Sequence, residues 1–458
     1  MKKKITAIIL ALMLVLCFAA CGAKSSSSGV TVTTTGNTGS EESTSSQDAV
    51  ITEKSESSKT TVSTASGGAL DTSDLFSTRD LTQEPDLTDA VYYTLKDGEN
   101  ISITKAGVYV LSGSASEVTV TVDSGDDDKV QIVLNNANIT NKDFPCIYVK
   151  NADKVFITTV NGTENSLSVT GTFTTDGSTN TDAVIFSKDD LVLNGLGTLK
   201  VTSSDNGISC KDDLKVTGGT LIISAKDCGL EANDSIRIAD GNITVTAKND
   251  AIHAEYDEDQ SVGYIYVCGG TLMLKAGDDA IHATTIAQFD GGEITISAAE
   301  GIEATWVQIN GGNIDITSTD DGVNAARKSN AYTVLFEMND GYLKVSMGQG
   351  DTDAIDSNGN IIVNGGTIDI TGQSSFDYDG TAKYNGGTII VNGQTTNTIT
   401  NQFMGGGGMK GMQNWGGQSQ TAPGSSEQAP DTTSGASSQG NSGNQWNGGN
   451  MQTRPGKH

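Results

Sequence analysis

Proline is scarce in this chain, with 5 residues against 55 glycines among 458. Turns must then be made by glycine. Charged residues reach only 18%, a composition unlike collagen, unlike a wholly disordered chain and unlike a helical bundle rich in Ala, Glu, Lys and Leu. Basic side chains are also few, 28 against 56 acidic, for a formal net charge of -28. Such a chain repels polyanions, so nucleic acid is not expected as a partner. No Cys/His spacing suggests zinc.

What is present begins with Lys2 to Lys4, an apolar run from Ile5 to Leu16, and small residues just before Cys21. The run is too short for an ordinary membrane span and reads as a secretory signal over 1–20. Ala19-Ala20-Cys21 looks like a lipoprotein cleavage site, although Phe18 stands where an aliphatic residue is usual. The expected product is extracellular and lipid-anchored to the bacterial cell membrane through Cys21. Residues 21–73, rich in Ser and Thr, should form a disordered tether, and 396–458, rich in Gly, Gln, Asn and Met, a disordered tail.

Between them lies a repeat of about 22 residues. Asp205-Asn206-Gly207-Ile208 aligns with Asp227-Cys228-Gly229-Leu230, Asn249-Asp250-Ala251-Ile252, Asp278-Asp279-Ala280-Ile281, Glu300-Gly301-Ile302, Asp320-Asp321-Gly322-Val323 and Thr352-Asp353-Ala354-Ile355. Each repeat holds three short stretches of period two, with a Gly pair before the third. Three strands per repeat cannot bury an apolar face alone, but they stack. The predicted fold is all-β: a right-handed, single-stranded parallel β-helix over 74–395. Leu221, Ile243, Leu272, Ile294, Ile314, Leu343 and Ile368 should form one interior ladder, and Ile223, Val245, Leu274, Ile296, Ile316, Val345 and Ile370 another. Starting near Val91, roughly 14 turns at ~4.8 Å give a rod on the order of 65 Å. Asp74 to Ala90 is expected to cap its open end. A monomer is expected. Cys210 and Cys228 fall on adjacent turns at different positions, where a disulfide is possible but not required.

Stacking concentrates acid. Asp205, Asp227, Asp250, Asp278, Asp279, Asp320 and Asp321, followed by Asp351, Asp353 and Asp356, should line one corner. Two carboxylates ~4.8 Å apart at an effective dielectric near 20 repel by roughly 3.5 kcal/mol, which implies a counter-cation. Oxygen ligands from Asp, Asn and turn carbonyls select Ca²⁺. The competing reading is that these aspartates only cap turns.

The outward position of the first strand reads Ser209, Glu231, His253, His282, Glu303, Asn324 and Asp356. A polar stripe of this kind suits a linear polysaccharide, with Trp306 and Tyr256 as stacking candidates. The carbohydrate-binding set is thus Glu231, His253, His282, Glu303, Trp306 and Asn324. His253 and His282 read as a solvent-facing ladder rather than a metal site.

The runs Gly125-Asp126-Asp127-Asp128-Lys129-Val130, Tyr148 to Val155, Phe186 to Leu191 and Asp377-Tyr378-Asp379-Gly380, with the repeated Asp-Asp-(Gly/Ala)-Ile unit, resemble the clostridial carbohydrate-binding β-helix lipoprotein family, related to pectate lyases. The resemblance implies a right-handed parallel β-helix, bound calcium, a surface location and binding to cellulose or acidic plant polysaccharide. It places Asp205, Asp227, Asp250, Asp278, Asp279, Asp320 and Asp321 on the family's acidic corner. Cys228, and Glu300 without a preceding acid, depart from that pattern.

No catalytic residue is assigned. A calcium-dependent lyase would need a Lys or Arg to remove a proton, and Arg327 and Lys328 are candidates that read as an exposed loop pair. Glu231 and Glu303, about three turns or roughly 14 Å apart, are too distant for glycoside hydrolysis. A structural spacer or adhesin is the third reading.

Overall fold

The computed structural model describes residues 69–256, 258–348 and 352–402, in which every regular element is a strand. The architecture is a parallel β-helix. One coil consists of Leu230–Ala232, Ser235–Ile238 and Asn242–Thr246, and the next of Ile252–Ala254, Tyr264–Val267 and Thr271–Lys275. Each strand pairs in parallel with its counterpart one coil on. The strands are short because a turn interrupts them, and parallel because the chain always returns on the same side.

Both interior ladders occur rung for rung. Leu221 pairs with Ile243, and the file continues through Leu272, Ile294, Ile314, Leu343 and Ile368. Alternation explains this: Ile243 and Val245 are buried, while Thr271 and Met273 beside the next rungs are exposed. Cys210 lies in an alanine file with Ala232, Ala254 and Ala283. Cys210 and Cys228 are separate thiols, so the possible disulfide is not made.

The Gly pairs have a double cause. The second glycine takes positive φ, as at Gly312 (86°), and a Cβ there would lie 2.8 Å from the Gly291 carbonyl carbon in the coil below. Stacked corners leave no room for side chains. Just before the pairs, Asn310, Asn339, Asn364 and Asn385 form an amide ladder, each Nδ2 donating at 2.7 Å to the oxygen of the previous member. The last paired strand, Thr388–Val391, is closed by an antiparallel partner, Gln394–Thr396.

The segment before Val91 does not form an end cap, which corrects the expectation for Asp74 to Ala90. The described chain begins at Ala69, inside the expected tether, and is already docked there. Ala69 and Leu70 donate backbone N–H groups to Gln308 and Gln288 (3.1 and 2.9 Å). Leu75 is buried with Tyr264, Tyr266 and Ile286. Farther along, Gln83 accepts from Gly195 N and donates to Thr217 O. The segment is a strap across the outer face of the second strands. Its pin is Asp80, fully buried, 3.1 Å from Lys215 and 3.7 Å from Lys154. Burial disfavours the Asp80 carboxylate, but the two lysines prevail and hold its pKa below the usual range. Meanwhile Val91 and Tyr92 at the open end are exposed.

Two predictions follow from the charges on this flank. Asp80→Ala leaves Lys215 and Lys154 buried without their shared carboxylate, and a loss of about 3–5 kcal/mol is expected in denaturant unfolding; an unchanged midpoint would show that the strap is not pinned there. At the neighbouring corner Asp189, Asp212 and Asp234 stack, one residue before or two residues before register-fixed strand positions. Burial, with Asp190, Asp213 and Asp234 nearby, pushes Asp212 up to about 8. A raised carboxylate pKa contributes stability below the unfolded value near 4, and that contribution is lost as pH rises toward 8. Asp212→Asn should therefore melt higher than the parent at pH 8 and together with it at pH 4.

Candidate functional site

The outward file of the first strands is fixed by pairing: Ser209, Glu231, His253, His282, Glu303, Asn324, Asp356. It is not an open stripe. Ser209, His282 and Glu303 are buried, and Glu231, His253 and Asn324 are half-buried. The file is recessed because the acids of the adjoining corner fold over it.

That corner consists of two files rather than one. Three residues before the paired Ile208, Leu230, Ile252, Ile281, Ile302 and Val323 stand Asp205, Asp227, Asn249, Asp278, Ala299 and Asp320; two before stand Asn206, Cys228, Asp250, Asp279, Glu300 and Asp321. The first file faces outward, with Asp278 and Asp320 exposed. In the second, Asp250 and Asp279 are buried. Asp351 lies outside the described residues.

Part of the second file links each turn to the turn of the next coil rather than capping its own. Asn206 Oδ1 accepts from Cys228 N, Asp250 Oδ1 from Asp279 N, and Asp321 Oδ1 from Asp353 N, at 3.0, 3.0 and 3.1 Å. The remaining oxygens turn toward the outward file. His253 Nδ1 donates to Asp250 (2.5 Å) and its Nε2 faces Glu255 (3.1 Å). His282 Nδ1 lies between Asp279 (2.8 Å) and Glu303 (3.0 Å). Burial works against both imidazolium ions, but these carboxylates outweigh it and raise His253 to about 10 and His282 to about 9. The pair is thus not the solvent-facing ladder that the alternation suggested.

Lys328 completes the network. Its Nζ lies 2.7 Å from Glu303, so it docks into the file instead of extending from an exposed loop, whereas Arg327 is exposed. Burial opposes ionisation of Glu303, yet His282 and Lys328 hold it down at about 2. The sequence offered Lys328 as a basic candidate but placed it in an exposed loop pair, because its approach depends on the path of the loop between Val323–Ala325 and Leu335–Met338.

Four groups of side chains among the described residues bring three ligand atoms within 4.8 Å of one another: Cys228/Asp250/His253, His253/Glu255/His282, Asp250/Asp279/His282 and Asp279/Glu300/Glu303. Of the seven expected metal-binding aspartates, Asp250 and Asp279 enter such groups; Asp205, Asp227, Asp278, Asp320 and Asp321 do not. The all-oxygen group has one further donor. Asn324 hydrogen-bonds through Nδ2 to Glu300 and Glu303, and its Oδ1 is buried without a partner. Burial, with Asp279 and Glu303 nearby, pushes Glu300 up to about 7. Buried carboxylates beside an orphaned amide oxygen suit a hard cation.

Trp306 does not belong to this face. The strand Glu300–Ile309 runs unbroken around the corner, so Trp306 pairs with Ile286 and packs on the flank with Leu75, Tyr264 and Ile286. Tyr256 donates to Glu258. The site therefore presents polar groups without the aromatic platform that the sequence suggested.

These observations define the class: a parallel β-helix solenoid with a recessed, ionised file along its first strands. The family model for carbohydrate-binding domain-containing proteins matches residues 97–354, and the chain belongs to that family. A carbohydrate-binding domain-containing protein of Acetivibrio thermocellus is 41% identical over 200 residues, 43% of this chain and 70% of that protein. A solved structure of a polysaccharide lyase-like protein from C. thermocellum, a gadolinium derivative, aligns with a TM-score of 0.45 and 30% identity over 49% of this chain and 96% of its own.

If Lys328 is docked as described, Lys328→Ala should cost about 1–3 kcal/mol, the worth of a hydrogen bond to a charged group. Urea unfolding at neutral pH measures it, and no change would place Lys328 in solvent.

Proposed function

We propose that this face binds polysaccharide and that calcium supports it at Asp279, Glu300, Glu303 and Asn324. The observation that carries the reading is the file Glu231–His253–His282–Glu303–Asn324, one side chain per coil in unbroken register. A linear polymer can meet such a file repeatedly, and membership of a carbohydrate-binding family agrees with it. The net charge of -28 adds a condition. An acidic, pectin-like polymer would be repelled unless cations bridge it to the protein, whereas cellulose carries no charge and needs none.

Binding rather than cleavage is favoured by Lys328. A lyase base must be neutral to accept a proton. Burial would lower the Lys328 pKa, but the hydrogen bond and charge of Glu303 raise it, keeping the ammonium form. The location is proposed from the sequence: secretion, then anchoring through Cys21 to the cell membrane. Cys21 lies outside the described residues, and among those described no helix is long and apolar enough to cross a membrane.

Cosedimentation tests this reading. The protein should pellet with polygalacturonate in calcium and be released by EGTA, should pellet with cellulose in either buffer, and should generate no ultraviolet-absorbing unsaturated product. Product formation would establish a lyase, and failure to pellet with either polymer would leave the spacer or adhesin. In parallel, EGTA should lower the melting temperature, by a shift that shrinks in Glu300→Gln, because an ion bound only by the folded chain stabilises it. An EGTA-insensitive melt would remove calcium from the account.

A further inference from the structure

We propose a second metal site on this face, for a divalent transition metal of the zinc class, built from His253, His282 and Glu255. It goes beyond the calcium reading, because its donors are nitrogen as well as oxygen.

Three observations meet here. First, the ring nitrogens of His253 and His282 and a Glu255 carboxylate oxygen lie within 4.8 Å of one another. Pairing sets His253 directly against His282 on the next coil, with ring centroids 4.7 Å apart and planes 11° from parallel. Glu255 shares the face because it follows His253 by two residues in extended chain. Second, each ring is braced the same way, by an aspartate three residues earlier on Nδ1: Asp250 for His253 and Asp279 for His282. A carboxylate on one imidazole nitrogen fixes the tautomer and makes the other nitrogen a better ligand, which is the usual arrangement around protein-bound zinc. Third, His282 is 8% exposed and its Nε2 is buried with no hydrogen-bond partner. A buried polar atom left unsatisfied costs free energy and calls for an occupant.

Imidazole and carboxylate together select Zn²⁺, Co²⁺ or Ni²⁺ over Ca²⁺. The lone pairs of parallel rings do not converge, so an ion would tilt the two rings toward each other. Glu255 would exchange its contact with His253 Nε2 for the metal, and each imidazolium would lose its Nε2 proton to solvent while keeping Nδ1–H on its aspartate, so binding releases two protons at neutral pH. The calcium-type group Asp279/Glu300/Glu303 lies one coil further along, and Asp279 touches both.

Cobalt titration of the chelator-treated, dialysed full chain tests the proposal. One Co²⁺ per chain should develop the visible absorption of nitrogen-ligated cobalt, equimolar Zn²⁺ should abolish it, and a large excess of Ca²⁺ should leave it unchanged. Glu255→Gln, at an exposed position, should weaken zinc binding about tenfold or more, and Asp250→Asn about 10–100-fold. His282→Gln should remove the spectrum, with circular dichroism checking that each variant is folded. No cobalt absorption, or absorption identical in Glu255→Gln and His282→Gln, overturns the site. Displacement by stoichiometric Ca²⁺ also overturns it, assigning the ion to the oxygen group. Loss of the EGTA-sensitive melt with the cobalt spectrum intact overturns the calcium reading alone.

Discussion

Parallel stacking in strict register is the constraint on which everything else depends. Every side chain on a coil meets its counterpart on the next about 4.8 Å away. For Leu272 and Ile294 this is favourable, since like packs on like and water is excluded. For a carboxylate the same geometry is a problem that repeats with each coil. The molecule meets it in two places by different means. On the flank, Lys154 and Arg237 pair with Asp190 and Asp213. Beside the first strands, the cations come from His253, His282 and Lys328.

The second arrangement changes how the acidic corner should be understood. Counter-charge was expected from outside because lysine is scarce among the corner residues. The structure supplies part of it from neighbouring positions that the corner pattern does not include: a histidine three residues after Asp250 and another three after Asp279. Both aspartates therefore brace an imidazole and contribute to ligand groups, and Asp250 also accepts from the backbone of the next coil. Asp278 and Asp320 face solvent, where repulsion is screened and no ion is required.

The coil was legible in the sequence because two independent signals repeat at the same spacing: period-two apolar pairs such as Ile314/Ile316, and a Gly pair ahead of each. Register then followed without further information. What was not legible depends on contacts that have no period. The strap joins Ala69 to Gln308 and Asp80 to Lys215, across separations that no local pattern announces. Lys328 reaches Glu303 only through the path of a loop. Trp306 was assigned to the wrong face because a strand boundary was expected where Glu300–Ile309 passes straight through the corner. The histidine site could have been found: His253-x-Glu255 alternates onto one face, and the repeat itself places His282 on the next rung.

A recessed file whose acids are partly paired within the protein has consequences for the polymer it would hold. Groups already engaged in ion pairs are preorganised, so they lose little side-chain entropy when a ligand arrives. They are also less available, because each hydroxyl of a sugar must share a carboxylate with an imidazole or an ammonium. A bound cation resolves that competition differently from a proton. On the proposed reading Asp279, Glu300, Glu303 and Asn324 would hold the ion, and they offer fewer than the six to eight oxygens that Ca²⁺ takes unless the carboxylates bind in bidentate fashion. A uronate carboxylate would supply ligands that the ion lacks, whereas an uncharged glucan would meet the file without it, so the proposed reading gives the two polymers different dependence on the ion.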